Sequence, residues 1–363
     1  MKLASVLARD CNNLDVFRLI AACAVIYGHA FSMSPFDGSV DIFSRYFGHD
    51  AGWLAVKVFF FLSGLLVANS LLSKGDPVQF VVARAFRIWP ALIVMLVLLA
   101  FVVGPVLSSL SLSDYFSTSS PFRYVLDNIK LNTNFLLPGV FESNHNKLSV
   151  NGSLWTIPSE VACYLVLVSL FTLGFFKLRF LSVLLLLVIL VDPLFQDSYV
   201  LRFVPNIISN SLMIPSFVFG AVLAVYKDSI RIDAYSVMGA WGLYYILGNA
   251  SYSAYFLCLA FFISVIYLSS LSWIVRLKMK TDVSYGVYLW GFPVQQTISM
   301  FFAQYGVLVN QVSSIVISLI IGYVSWYLIE KRSIFLGAVI VKQIKMMLSN
   351  AGNYSKDARS AAE

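Results

Sequence analysis

The chain has 363 residues, of which 59% are hydrophobic and only 12% charged, with a mean hydropathy of +0.82. Soluble domains carry about a quarter charged residues, so a soluble enzyme, a disordered chain and a fibrous chain are excluded. A β-barrel is disfavoured, since its segments are short and alternate polar with apolar; an all-α, polytopic membrane bundle remains.

A span needs about 20 mostly apolar residues, and the sequence offers ten in succession. They are Leu14–Ser34, Gly52–Leu72, Phe80–Leu107, Leu154–Phe176, Phe180–Phe195, Phe203–Tyr226, Ile232–Leu247, Tyr252–Ile274, Val283–Tyr305 and Val307–Ile329. The fifth and seventh are short. The longest piece between spans is Ser108–Ser153, with turn-rich runs such as STSSP. The apolar run after Arg9 lacks a small-residue cleavage site behind it and reads as a signal anchor, the first span. Residues 335–348 (FLGAVIVKQIKMML) form either an interfacial amphipathic helix or a continuation of the last span. The polar tail from Ser349 reads as disordered. The domain division is therefore 1–333 for the membrane part and 334–363 for the helix and tail.

Net charge is +7, from 25 Lys and Arg against 18 Asp and Glu. With the N-terminus in the cytoplasm, Arg45, Arg123, Lys130, Lys147 and Arg202 face outward, and Arg18 and Lys57 fall inside spans. The other basic residues fall on the cytoplasmic side, so the positive-inside rule favours ten spans with both termini inside. No basic segment interleaves with aromatics, which speaks against a nucleic-acid partner. Cys11, Cys23, Cys163 and Cys258 form no CxxC pair, hence neither a zinc site nor a disulfide framework is indicated.

Ionisable groups inside spans are costly and mark function by default. Asp15, Arg18 and His29 lie in the first span. Arg18 and His29, 11 residues apart, share one helix face about 16 Å from each other along the axis. Arg18 either snorkels to the interface or serves a ligand; His29 is either a structural histidine or a reactive one. Counted from the outer ends of their spans, His29, Lys57 and Glu160 lie at similar depth. They either meet in one layer or, for Lys57 and Glu160, snorkel separately. At the inner face Arg84 and Arg87 share a helix face. With Arg18 they make either a basic cluster suited to a polyanion or an ordinary positive-inside flank.

Six motifs then accumulate in order. The first span reads NNLDVFRLIAACAVIYGH, with Asp15, Arg18 and His29 in an L-D-x-x-R-x10-H pattern. The second reads VFFFLSGLL, carrying Ser63, and the third RAFRIWP, carrying Arg84 and Arg87. The fourth opens NGSLWTIPSE, with Trp155 and Glu160; the ninth opens SYGVYLWGFP, with Tyr288; the tenth closes YLIEKRS. In these the chain resembles the acyltransferase 3 family of integral membrane acyltransferases, many of which O-acetylate bacterial surface sugars. Where the ninth-span motif often carries a histidine, this chain has Gly291.

The resemblance implies a multi-pass protein of the bacterial inner membrane that moves an acetyl or other acyl group, usually from acetyl-CoA, to a hydroxyl of an outer-face carbohydrate. The glycan is an O-antigen, capsule or exopolysaccharide, free or lipid-linked. No tightly bound cofactor and no metal are expected. Arg18, Arg84 and Arg87 would hold the donor's phosphates. His29 would be the general base or a transiently acetylated nucleophile, with Glu160 fixing its tautomer or its charged form. Trp155, at the end of the outer loop, would face the sugar, and Asp15, Lys57, Ser63 and Tyr288 would support the site. A carrier or flippase for a sugar-linked lipid, with His29 and Glu160 as a proton relay, is the alternative.

Overall fold

In the computed structural model, residues 1–8, 10–35, 38–147, 149–192, 212–248, 252–277, 279 and 281–360 are described, with side chains through Met347. The ends of the fifth and sixth expected spans that fall within 193–211 lie outside the described residues, as do Arg9, Arg202, Lys278 and Lys280. The described residues are helical without a β-strand; two isolated bridges, Lys2 with Arg231 and Ser108 with Val140, are the extended pairings.

Helices stand at each of the ten expected positions. We label them α1 (Leu14–Met33), α2 (Ala51–Lys74), α3 (Pro77–Leu107, its Leu99–Val103 turn a π-helix) and α4 (Thr156–Thr172). Next come α5 (Arg179–Val191), α6 (Met213–Val225), α7 (Ala234–Leu247) and α8 (Ser253–Ser269). The chain then forms α9 (Ser284–Phe302) and α10 (Gly306–Ser325), and a π-turn at Trp326–Glu330 leads into α11 (Lys331–Ser360). By length and composition, 5 continuous helical stretches suffice to cross a membrane: Leu14–Met33, Ala51–Lys74, Pro77–Leu107, Gly152–Thr172 and Ser284–Met347. The last holds α9, α10 and the start of α11. Helices α5, α6 and α8 are shorter and apolar.

Local sequence explains the breaks. Asp50 caps α2 by accepting from the Trp53 N–H at 2.7 Å. Gly75 ends that helix in the left-handed region at φ 65, which glycine adopts without a Cβ clash. Asp76 then caps α3 through the Gln79 N–H at 2.8 Å, and Pro77 starts the helix where no N–H partner is needed. Helices α2 and α6 cross in close contact. A Cβ added at Gly64 would run into the Phe217 carbonyl, and one at Gly220 into that of Phe61. Small residues of this kind let backbones approach in lipid, where apolar burial gives little drive for helix pairing.

The segment between α3 and α4 folds back onto the bundle. It contains helices Leu112–Ser117 and Ser120–Ile129, buries Tyr115 and Tyr124, and ends at Asn151, which is 0% exposed. Proline explains why Asn151 goes so deep. Pro293 lacks an N–H, so the Leu289 carbonyl one turn earlier in α9 loses its helical donor, and Asn151 Nδ2 donates to that carbonyl at 2.9 Å. Helix α4 therefore begins inside the bundle rather than at its surface.

At the opposite end, the first residues are tied to the α6–α7 turn. Leu3 N donates to the Ile230 carbonyl at 2.9 Å and Ile232 N to that of Met1 at 2.9 Å. The N-terminus and the α6–α7 turn thus share one end of the bundle, the end at which Arg18 lies. Helix α11 packs on α3, with a Cβ at Gly337 coming to 3.0 Å from the Phe86 side chain, and Lys345 pairs with Asp76 at 2.5 Å.

Candidate active site

Two charged centres lie along α1, one at each end. At the Arg18 end, Arg18 Nη1 and Arg87 Nη2 both donate to Oδ2 of Asp282, each at 2.6 Å. Arg87 Nη1 donates to Glu330 Oε2 at 2.6 Å, and Ser325 Oγ donates to Glu330 Oε1 at 3.0 Å. Asp282 stands just before α9 and accepts from Ser284 Oγ at 2.6 Å. A carboxylate is favoured at such a helix start. Burial pushes the Asp282 carboxyl up, but Arg18 and Arg87 outweigh it and hold the group well below the usual carboxylate range. The π-turn carries Glu330, 1% exposed, to Arg87; a π-bulge inside an α-helix often marks a functional position. Two cations and two carboxylates make the centre formally neutral. Asp15, one turn from Arg18, adds a looser contact at 3.8 Å.

The expected basic cluster is thus rearranged. Arg18 and Arg87 come together, but around Asp282 and Glu330, which the sequence did not single out as partners. Arg84 stands apart, its guanidinium 6.0 Å from the Tyr164 ring centre. Glu330 was visible in the YLIEKRS motif and Asp282 two residues ahead of SYGVYLWGFP; neither motif says whom the acid pairs with.

A narrow cavity of about 60 Å³ lies beside this centre, lined by Arg18, Ser63, Thr156, Glu160, Ser284, Tyr285 and Tyr288 among others. Here Tyr164 donates its hydroxyl to Glu160 Oε1 at 2.5 Å. Ser63 donates to the same oxygen at 3.3 Å and lies 2.7 Å from the Tyr164 hydroxyl. Glu160 therefore faces the Arg18 end. The depth count put it level with His29; instead its side chain lines the narrow cavity with Arg18, the chain leading into α4 being already buried at Asn151.

A second cavity, about 650 Å³, opens at the His29 end. His29, Asp41, Asp50, Trp53, Lys57, Trp155 and Tyr288 contribute to its walls. Its position follows from the crossing of α1 and α2 at Gly28 and Gly52: a Cβ on Gly28 would stand 2.7 Å from the Gly52 nitrogen. That crossing sets His29 and Trp53, each one residue on, at the cavity. Lys57, 2% exposed, places its ammonium 4.0 Å from the Trp53 ring centre. His49 stacks on Trp53 at 3.9 Å. Burial and the Lys57 charge lower the His49 imidazole below its ordinary value, against the opposing pull of Asp50. His29 Nδ1 is buried without a hydrogen-bond partner in the described structure, and its ring meets Phe292 edge to face at 5.5 Å. The two cavities share Val56 and Tyr288.

Buried amides hold the back of α1. Gln295 Nε2 donates to the Ile26 carbonyl at 2.7 Å, Gln311 Nε2 to that of Tyr27 at 3.1 Å, and Asn310 Nδ2 to Ser34 Oγ at 3.1 Å. These bonds bracket His29 and fix its helix. The sequence signal was the pair Gln295–Gln296 inside an apolar span, which the motif reading passed over. Gly291 faces Ile26: a Cβ there would stand 2.8 Å from Ile26 Cγ1. The two helices therefore approach closely at this point.

A bundle of membrane-type helices, with a histidine-lined cavity at one end and an arginine–carboxylate centre at the other, is the architecture of a multi-pass membrane protein. The acyltransferase domain family matches residues 12–330, and the chain belongs to that family, acyltransferase 3; it is an acyltransferase. An O-acetyl transferase of Shigella phage Sf6 is 29% identical over 340 residues, covering 88% of this chain and 95% of that protein. Nodulation protein 10 of Rhizobium leguminosarum bv. viciae is 29% identical over 164 residues, 43% of each chain. No solved structure matches.

Proposed function

We propose that this protein moves an acetyl group from acetyl-CoA, entering at the Arg18 end, to a hydroxyl of a carbohydrate held in the large cavity at the His29 end. The observation that carries this reading is the pair of cavities laid end to end along α1, with His29 on the wider one and Arg18 and Glu160 on the narrower. The charge bias favours the Arg18 end in the cytoplasm, where acetyl-CoA is made, with the His29 end outside. The inner membrane of a bacterium is the location that fits, with ten spans and both termini inside.

Arg18, Arg84 and Arg87 mark the donor side in this reading. The forks of Arg87 are engaged by Asp282 and Glu330, so Arg84 is the arginine available to a phosphate oxygen, with the neutral centre fixing the helices around it. The acyl arm extends past Ser63 and Glu160. Trp155 and Trp53 give the acceptor cavity aromatic walls, with Asp41, Asp50 and Lys57 around them. His29 takes the hydroxyl proton on Nε2 while Nδ1 keeps the buried edge. The sugar oxygen attacks the thioester carbonyl, and CoA leaves as the thiolate and is then protonated. Glu160 acts on the donor side, at a distance from the imidazole.

Membranes containing the protein should release CoA from radiolabelled acetyl-CoA in step with label entering glycan. Surface glycan from cells with the protein should carry an acetyl mass that cells without it lack. CoA-independent glycan acetylation, or none at all, would overturn the reading.

A further inference from the structure

Resting on that reading, we infer that the Tyr288 hydroxyl donates the hydrogen bond that stabilises the oxyanion formed on the thioester carbonyl. A donor reaching in from the narrow cavity and an acceptor hydroxyl in the wide one meet where the cavities adjoin. Two residues line both, Val56 and Tyr288. Val56 has no polar side-chain atom, so the phenol is the side-chain donor at the junction.

The phenol is held in place there. Its ring meets Phe59 edge to face at 5.6 Å. Its oxygen lies 2.6 Å from Thr156 Oγ1 and donates to the Ser153 carbonyl at 3.1 Å. Thr156 Oγ1 also donates to the Ser153 carbonyl, at 3.3 Å. One of the two hydroxyl protons lies in the 2.6 Å contact between the oxygens, so the carbonyl has one hydroxyl donor at a time. When the Tyr288 proton turns to a ligand, Thr156 can donate across the 2.6 Å contact to the phenol oxygen, which strengthens the phenol as a donor. A donor fixed beforehand at the site of developing charge is the arrangement that lowers acyl-transfer barriers.

The step balances as follows. The sugar oxygen forms its bond to the carbonyl carbon as its proton passes to His29. The carbonyl π pair moves onto oxygen, which accepts from the Tyr288 hydroxyl. Collapse re-forms the carbonyl and breaks the carbon–sulfur bond. The CoA thiolate takes up the proton, and Tyr288 keeps its own throughout.

Tyr288→Phe keeps the ring and its Phe59 contact, so the test reads the hydroxyl alone. In purified protein its kcat should fall by about 10²-fold, the usual effect of losing one oxyanion donor, with KM for acetyl-CoA unchanged within a factor of about two. The trifluoromethyl-ketone analogue of acetyl-CoA, whose hydrate is tetrahedral, should lose affinity for Tyr288→Phe by a similar factor, while CoA itself binds both proteins equally. Replacing Tyr288 by 3-fluorotyrosine, a better hydrogen-bond donor of nearly the same shape, should raise kcat above that of Tyr288→Phe to at least the wild-type value. Unchanged turnover in Tyr288→Phe, or equal weakening of analogue and CoA, would overturn the assignment. Wild-type protein that transfers no acetyl group would instead overturn the acetyltransfer reading, and the two failures are separate readouts.

Discussion

Arg18 and Arg87 share a single acceptor oxygen, Oδ2 of Asp282, at equal distances of 2.6 Å. One carboxylate thereby ties α1 and α3 to the start of α9, and Arg87 carries the link on to Glu330 beyond α10. Such a centre is expensive to leave half-made: removing one partner of a buried ion pair costs about 3–5 kcal/mol.

Asp282→Asn should therefore lower thermal stability of the detergent-purified protein sharply, with Glu330→Gln losing less because one carboxylate still faces both arginines. The pH dependence has a definite sign. The folded carboxyl of Asp282 is held below its unfolded value of about 3.9, so its stabilisation is complete above that value and is lost as pH falls further, through the folded one. The wild-type melting temperature minus that of Asp282→Asn should stay constant from about pH 7 to 5 and shrink only in stronger acid, below about pH 4. A difference that vanished near neutrality would show that Asp282 is not the ionised hub.

The Asn151–Leu289 bond allows a double-mutant cycle. Asn151→Leu should cost about 1–3 kcal/mol by leaving the Leu289 carbonyl without a donor. Pro293→Ala restores the helical N–H that reaches that carbonyl, so Asn151→Leu should cost less in the Pro293→Ala background. Melting temperatures of the four proteins decide it, and equal losses in both backgrounds would refute the link between the proline and the asparagine.

Orientation is checked at the α6–α7 turn, which the N-terminal residues grip through Leu3 and Ile232. In a variant with all four cysteines removed, Asp228→Cys should resist a membrane-impermeant thiol reagent added outside intact cells and react once the membrane is opened. Labelling from outside would reverse the direction of the whole bundle.

Much of this was legible in the sequence because hydrophobic length sets where helices form. Residues 14–34, 52–72 and 283–305 read as spans and are helices, within a few residues. His29 and Lys57 share a cavity, as their depth suggested. The partners of Arg18 and Arg87 were not legible, since Asp282 is 264 residues from Arg18 and Glu330 is 243 from Arg87, and periodicity within a helix carries nothing about such pairs. Glu160 was misplaced because depth was counted from an assumed surface start, whereas Asn151 is drawn inward by a carbonyl that Pro293 frees. Asp50 was missed because a helix-capping aspartate looks the same whether or not it borders a cavity.

The most direct test compares surface glycan from cells carrying the wild-type protein, the His29→Gln variant or neither. Glutamine keeps approximate size and hydrogen bonding but cannot take the hydroxyl proton at neutral pH, and general base catalysis is worth about 10²–10⁴-fold. We expect an acetyl mass on the glycan with wild-type protein, and its loss with His29→Gln at equal membrane abundance. The wild-type rate should also fall in acid, where a protonated imidazole cannot accept the hydroxyl proton. Glycan acetylated by His29→Gln to the wild-type extent would contradict the central claim and leave His29 a structural residue.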